Sequence, residues 1–271
     1  MITRAISGLV FISIIIGTLI WGFYPSLVLF SIIGFIGTLE FYKLSAKFSA
    51  PYTYTGALFN SLFILSSGYL IASGSAFWVF SIWMLFILVF IFQLLNKKSE
   101  TSIVDISVTI GGALYLAIPL LSLLILAVIS ATYTTDFNWK IPLSIFILTW
   151  VNDTGAYLSG RSFGKHKLFE RISPNKTWEG SIGGLVLSVV GGVVLHTYWN
   201  TFDIPIWIGI SVLVSIFANI GDLMESAFKR NADVKDSGSI MPGHGGVLDR
   251  FDAVLLTAPV VLAYLLTIID L

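Results

Sequence analysis

Apolar stretches of close to 20 residues follow one another along this chain, with short polar breaks between them. About 20 apolar residues let a helix cross the hydrocarbon core of a bilayer. Nine stretches meet that need, at 5–22, 25–42, 54–72, 76–95, 103–130, 141–160, 180–198, 204–224 and 251–269. The fifth is long enough to be tilted, or broken at Pro119. Pro25, Pro51 and Pro142 fall near helix starts, where a missing N–H costs little. No long linker separates the stretches. The pattern predicts an all-α polytopic domain over residues 1–271, with membrane helices in 1–130 and the chemistry-bearing helices and loops in 131–271.

Composition agrees. The chain is 56% hydrophobic and 11% charged, against about 25% charged in a soluble domain. Its net charge is zero, so no general basic field draws nucleic acid. Without cysteine there is neither a disulfide framework nor a thiolate metal site. The first apolar run follows only Arg4 and ends in Trp21-Gly22-Phe23-Tyr24-Pro25, which reads as a retained helix rather than a cleaved leader.

Positive charge orients the spans. With the N-terminus in the cytoplasm and nine spans, fourteen of the fifteen Lys and Arg are cytoplasmic and only Lys140 faces out. The C-terminus is then outside, and the expectation is an integral protein of the cytoplasmic membrane. Two cytoplasmic loops stand apart: "GRSFGKHKLFERISPNKTWEG" at 160–180, and "KRNADVKDSGSIMPGHGGVLDRFD" at 229–252, which holds eight of the thirty charged residues. Chemistry is expected on that side, beside the lipid headgroups.

Carboxylates also fall where lipid is expected. Asn152 and Asp153 interrupt the sixth span, Asp222 and Glu225 end the eighth, and Asp249 and Asp252 begin the ninth. An Asp at a helix centre costs at least ~2.5–3.5 kcal/mol, so such groups usually face a polar cavity. Both i,i+3 pairs can share one helix face. Converging carboxylates repel, and a bound cation is the simplest compensation. Oxygen ligands without Cys and with few His favour Mg²⁺ or Mn²⁺ over Zn²⁺. Lys176, Lys229, Arg230, Lys235 and Arg250 are suited to phosphates. "PGHGG", with Gly245 and Gly246, offers backbone N–H groups to an anion just ahead of a helix. Together these are the equipment of phosphoryl or nucleotidyl transfer. The acidic cluster alone would equally suit an ion- or proton-coupled secondary transporter. No pair of inverted halves is evident, however, and the polar residues collect on one side, which favours an interfacial enzyme.

Ser226-Ala-Phe-Lys229-Arg230, then Lys235-Asp236-Ser-Gly238, then Pro242-Gly-His244-Gly245-Gly246-Val-Leu-Asp249-Arg250-Phe-Asp252 closely resembles the signature of the phosphatidate cytidylyltransferases, or CDP-diacylglycerol synthases. Met241 stands where that family usually has Leu, Ile or Phe. "NDTGAYLSGRSFGK", "ISPNKTWEG" and "EFYKL" at 40–44 are similar to further family segments. The resemblance is close over the C-terminal half and rests mainly on span pattern before it. It implies conversion of CTP and phosphatidate to CDP-diacylglycerol and pyrophosphate, a Mg²⁺ requirement and a homodimer. It implies Asp222 and Asp249 as principal metal ligands in a two-metal site, and it allows a second, monovalent cation such as K⁺. Lys229 and Arg230 join Asp222 and Asp249 as expected catalytic groups.

Other residues divide between substrate contact and simpler roles. Asp252 is expected as a ligand, and Asp153 beside it as a substrate or ligand-supporting group. Lys176 and Glu179 are expected to touch substrate, or to anchor the interface with Trp178. Lys235, Asp236, Arg250, Gly245 and Gly246 belong with the substrate loop, and His244 is either a phosphate donor or a structural loop histidine. Lys165, Lys167 and Arg171 read as topology determinants that attract anionic lipid. His166 is expected in solvent and His196 at the outer interface. Gly184, Ser188 and Gly192, four apart, predict close helix packing.

Overall fold

A computed structural model describes residues 2–51, 53–75, 84, 87, 88, 91, 103–129, 137–241, 243 and 245–268. Among them are eight long helices: α1 (Ile2–Trp21), α2 (Phe23–Ser45), α3 (Thr53–Ala72), α4 (Ile103–Ile129), α5 (Lys140–Phe163), α6 (Trp178–Trp199), α7 (Ile204–Asn231) and α8 (Leu248–Ile268). Six of them, α2, α3, α4, α6, α7 and α8, are long and apolar enough to cross a membrane. The protein is an all-α polytopic membrane protein. The expected span at 76–95 lies, but for four positions, outside the described residues.

Local chemistry explains the helix ends. A single residue, Gly22 at φ 132°, joins α1 to α2, and side chains rarely tolerate that backbone geometry. Thr177 caps α6 by accepting from Gly180 N at 3.1 Å. Pro205 sits in the first turn of α7, where its missing N–H is harmless. Pro119 does not break the fifth predicted span; it lies inside the continuous α4. Nor do Asn152 and Asp153 interrupt the sixth, since α5 runs through both. Its polar residues deny α5 the apolarity of a typical span; Ser144, Thr149 and Asn152 among them are buried.

Helix α4 forms the centre, with Leu116, Leu120, Leu123, Leu124 and Leu126 buried against α2, α3, α5 and α8. The outer surface is apolar: Ile182, Val186, Val190 and Val194 on α6, and Leu9 on α1, are exposed. Exposed apolar rows on so many helices suit contact with lipid tails, not water. Small residues let α5, α6 and α7 approach closely. A Cβ added at Gly184 would meet Asn152 O at 2.8 Å, and one at Gly192 would meet Trp207 O at 3.0 Å. Ser188 Oγ donates to Ser211 O at 3.0 Å. The predicted 184–188–192 packing stripe is therefore present, serving α5 at one end and α7 at the other.

The loop at 160–180 is not plain coil. It contains an antiparallel hairpin, β1 (Lys167–Phe169) and β2 (Ser173–Thr177), with Lys167 opposite Thr177 and Phe169 opposite Ser173. The loop at 229–252 is shorter than expected, because α7 continues to Asn231 and α8 starts at Leu248. Lys229 and Arg230 thus sit on a helix, in its last turn, where cations complement the helix dipole.

Gly221 on α7 faces the backbone of α8, where a Cβ would collide with the carbonyl of Asp252. Gly221→Ala should lower stability by about 1–3 kcal/mol, as overpacking does. Gly17→Ala, at a position with nothing within 4 Å, should be neutral. Thermal unfolding in detergent would compare the two.

Candidate functional site

Helices α1, α5, α7 and α8 enclose a cavity of about 340 Å³ at the end of α8 that carries the glycine-rich loop. Its charged lining is Asp153, Asp222, Asp249, Arg250 and Asp252. A second cavity, about 310 Å³, adjoins it between α5, β2, α6 and α7, and contains Lys176, Asn175, Ser181 and Asn219. Asp153 and Asp222 line both. The four aspartates expected from sequence are thus brought to one place from three helices.

Each acid has different partners. Asp249, which heads α8, is the most engaged. Its Oδ1 meets Lys229 Nζ at 2.7 Å. Its Oδ2 accepts from Ser237 N at 2.9 Å, Ser237 Oγ at 2.9 Å and Gly246 N at 2.8 Å. Asp222 pairs through Oδ2 with Lys176 Nζ at 2.6 Å, and Ser226 Oγ donates to its Oδ1 at 3.3 Å. Lys176 also donates to Asn219 O at 3.2 Å. Lys229 lies between two acids, with Glu225 Oε2 at 3.1 Å as well as Asp249. Leaving either acid without its cation in a buried setting would cost about 3–5 kcal/mol.

Glu225, expected from sequence to converge with the aspartates though not assigned a role of its own, is completely buried. Among the described residues its Oε1 meets no hydrogen-bond donor. Asn152, beside Asp153, is equally buried and accepts from Ser215 Oγ at 2.7 Å, which ties α5 to α7 under the cavity.

The glycine-rich loop spends its amides within the protein. The Gly246 N–H donates to Asp249, and the next two amides, Val247 and Leu248, donate to Glu40 at 3.1 and 2.8 Å. The anions held at this helix N-terminus are therefore the protein's own carboxylates. Gly245, at φ 81°, lies against Asp249 and Asp236, so glycine is needed there for both backbone and space. Glu40 is the residue sequence reasoning missed. An acid inside the second apolar stretch was the available signal, by the same argument that picked out Asp153.

Other expected residues lie apart. Arg230, Lys235 and Asp236 are exposed and do not line these two cavities. Glu179 is also outside them: it pairs with His166 Nδ1 at 2.6 Å and accepts from the backbone N–H of Lys165 and His166, closing the base of the hairpin. His244 falls outside the described residues. Asp233, at φ 55°, pairs with Lys47 at the end of α2, and this hydrogen bond holds its carboxyl below the ordinary aspartate range.

Whether the site suits a metal is decided by its donors. The converging acids offer carboxylate oxygens, donors that hard divalent cations take, and among the described residues the buried Glu225 Oε1 meets no donor. Among the described residues no three acids or histidines are already grouped at metal-binding separation. Lys176 and Lys229 instead supply the positive charge beside Asp222 and Asp249. The donor chemistry fits such an ion.

Phosphatidate cytidylyltransferases of Staphylococcus aureus (strain COL) and Staphylococcus haemolyticus (strain JCSC1435) are each 50% identical over 119 residues, which is 43% of this chain and 45% of each relative. That of Staphylococcus epidermidis is 47% identical over the same length. The matched stretch thus spans less than half of these curated relatives. The Cytidylyltransferase family, by contrast, matches residues 2–268, which take in every described helix and all the acids of the cavity. On that match the chain belongs to the cytidylyltransferase family.

Proposed function

We propose that this protein transfers CMP from CTP to phosphatidate, forming CDP-diacylglycerol and releasing pyrophosphate. The observation that carries the proposal is the pair of joined cavities, acidic and cation-edged, in a chain matched to this family over nearly its whole length. The proposed setting is the cytoplasmic membrane, with nine spans, the N-terminus and both cavities on the cytoplasmic side and the C-terminus outside. A homodimer is part of the same proposal.

The chemistry asks little of a base. A phosphomonoester's second pKa is about 6, so the phosphatidate phosphate is largely dianionic at neutral pH. One of its oxygens attacks the α-phosphorus of CTP, and the bond from that phosphorus to the bridging oxygen of pyrophosphate breaks. Lys176 and Arg250, which line the two cavities, offer cations to the reacting phosphates. Lys229 pairs with both Asp249 and Glu225 and so fixes the two side chains. Asp222, Asp249 and Asp252 are the carboxylates that would hold Mg²⁺, with a monovalent cation such as K⁺ beside it. Bound there, Mg²⁺ would grip phosphate oxygens and stabilise their developing charge.

A lipid substrate suits the surroundings. An apolar groove of about 320 Å³ between the hairpin, α6 and α7 is lined by Phe169, Trp178, Ile182, Leu185 and Ile220. It shares Ser181 and Asn219 with the second cavity, so apolar and phosphate-sized polar spaces meet there. A secondary transporter finds no comparable support.

Purified protein in detergent with radiolabelled CTP and phosphatidate should form CDP-diacylglycerol, and only with Mg²⁺. CTP or dCTP should serve and ATP should not; equal rates with ATP would instead indicate a lipid kinase.

Asp249→Asn and Asp222→Asn should each lose ~10²-fold or more of this activity while purifying normally. Asp233→Asn, whose side chain is exposed and paired with Lys47, should stay active. Near-normal turnover in Asp249→Asn would remove the acidic cavity from the reaction.

For orientation, cysteine at Asn200 should react with an impermeant thiol reagent from outside the cell. Cysteine at Ser239, an exposed position in the glycine-rich loop, should react only after permeabilisation.

A further inference from the structure

Glu40 sits on α2, far from the catalytic stretch in sequence, and its side chain is only 2% exposed. It lines neither acidic cavity. Its two oxygens nevertheless take three hydrogen bonds from the glycine-rich loop and the start of α8: Ser237 Oγ at 3.0 Å, Val247 N at 3.1 Å and Leu248 N at 2.8 Å. Two glycines make room for it. A side chain at Gly238 or at Gly246 would collide with the Glu40 carboxylate.

These partners lead directly to Asp249. Ser237 donates its backbone N–H to Asp249 Oδ2, and its hydroxyl lies within reach of both carboxylates, 3.0 Å from Glu40 and 2.9 Å from Asp249. A hydroxyl has a single hydrogen to donate, so the two acids compete for it or share it. Gly246, packed under Glu40, donates the remaining bond to Asp249 Oδ2. Among the described residues, every neutral donor to Asp249 is thus held by a residue that Glu40 touches or would be displaced by.

We propose that Glu40 is a positioning residue for the reaction: it fixes the N-terminus of α8 and Ser237, and through them the direction in which Asp249 presents its carboxylate. The negative charge matters as well as the shape. Backbone N–H groups at a helix N-terminus carry partial positive charge, and a carboxylate answers them better than an amide does. In Glu40→Gln one acceptor oxygen becomes an NH₂ donor facing other donors. The loop then loses its fixed register although the side chain keeps its size.

This inference rests on the proposed transferase reaction for its kinetic readout, but not for its structural one. Glu40→Gln should lower kcat for CDP-diacylglycerol formation ~10–100-fold, the usual effect of removing a supporting partner, with KM for CTP unchanged. Hydrogen exchange should speed at the Val247 and Leu248 amides and stay unchanged in α6. Combined with Ser237→Ala, the loss should be less than the product of the single losses, because both act through the same carboxylate. Asn60→Ala is the stability control. Asn60 is fully buried on α3 and donates to Thr38 Oγ1 at 2.6 Å, so its loss should lower Tm without changing kcat per folded molecule.

Glu40→Gln with wild-type kcat per folded molecule, or with unchanged exchange at 247 and 248, would overturn the proposal. If Glu40→Gln cannot be purified, Glu40→Asp, which keeps the charge but falls one methylene short, carries the same comparison. Wild-type protein that forms no CDP-diacylglycerol, together with faster exchange in Glu40→Gln, would overturn the transferase reading and leave the clamp standing.

Discussion

The N-terminal amides of α8 must find acceptors away from bulk water, and the rest of the site depends on how they do so. The first amides of a helix have no partner within it. Here Gly246 N goes to Asp249, and Val247 N and Leu248 N go to Glu40, 208 residues before Leu248 in the chain. Two carboxylates thereby gain donors and the helix end gains acceptors. Once this exchange is made, Asp249 stands at the rim of the cavity with one oxygen committed to the backbone and one turned to Lys229.

Charge compensation follows the same economy. The membrane interior would penalise Asp222, Asp249, Asp252, Glu225 and Glu40 if each stood alone. The protein matches them in distinct ways: Lys176 for Asp222, Lys229 for Asp249 and Glu225, and neutral donors for Glu40. What stays open is the space between Asp153, Asp222 and Asp252, and the buried Glu225 Oε1. Arg250 lines the same space, so acids and a cation meet on its wall.

The helices around this centre can carry it because their contacts are small-residue contacts. Gly184, Gly192 and Gly221 put backbone against backbone, so α5, α6, α7 and α8 stand close enough for aspartates on three of them to share one cavity. The apolar groove beside the hairpin lies on the lipid-facing side of the same helices, which brings an apolar space and a charged one within two shared residues, Ser181 and Asn219.

Hydrophobic run length by itself determined the helices: each described helix overlaps its predicted span, because crossing a bilayer constrains length and apolarity at every position. The acids within or beside those runs, Asp153, Asp222, Asp249 and Asp252, were legible for the same reason, since an acid in such a place needs a cause. Run length could not locate the ends of α7 and α8, where polar residues continue a helix that no longer needs to be apolar. Nor could it find the hairpin, whose two short strands carry no alternating pattern. Above all, it could not say that Glu40 serves α8, that Glu225 shares Lys229 with Asp249, or that the glycine-loop amides are spent on internal carboxylates. Glu40 with Leu248, and Lys229 with Asp249, are pairings between distant segments, and a hydrogen bond of about 3 Å leaves no trace in local composition. Only the packing of α2 and α7 against the start of α8 decided them.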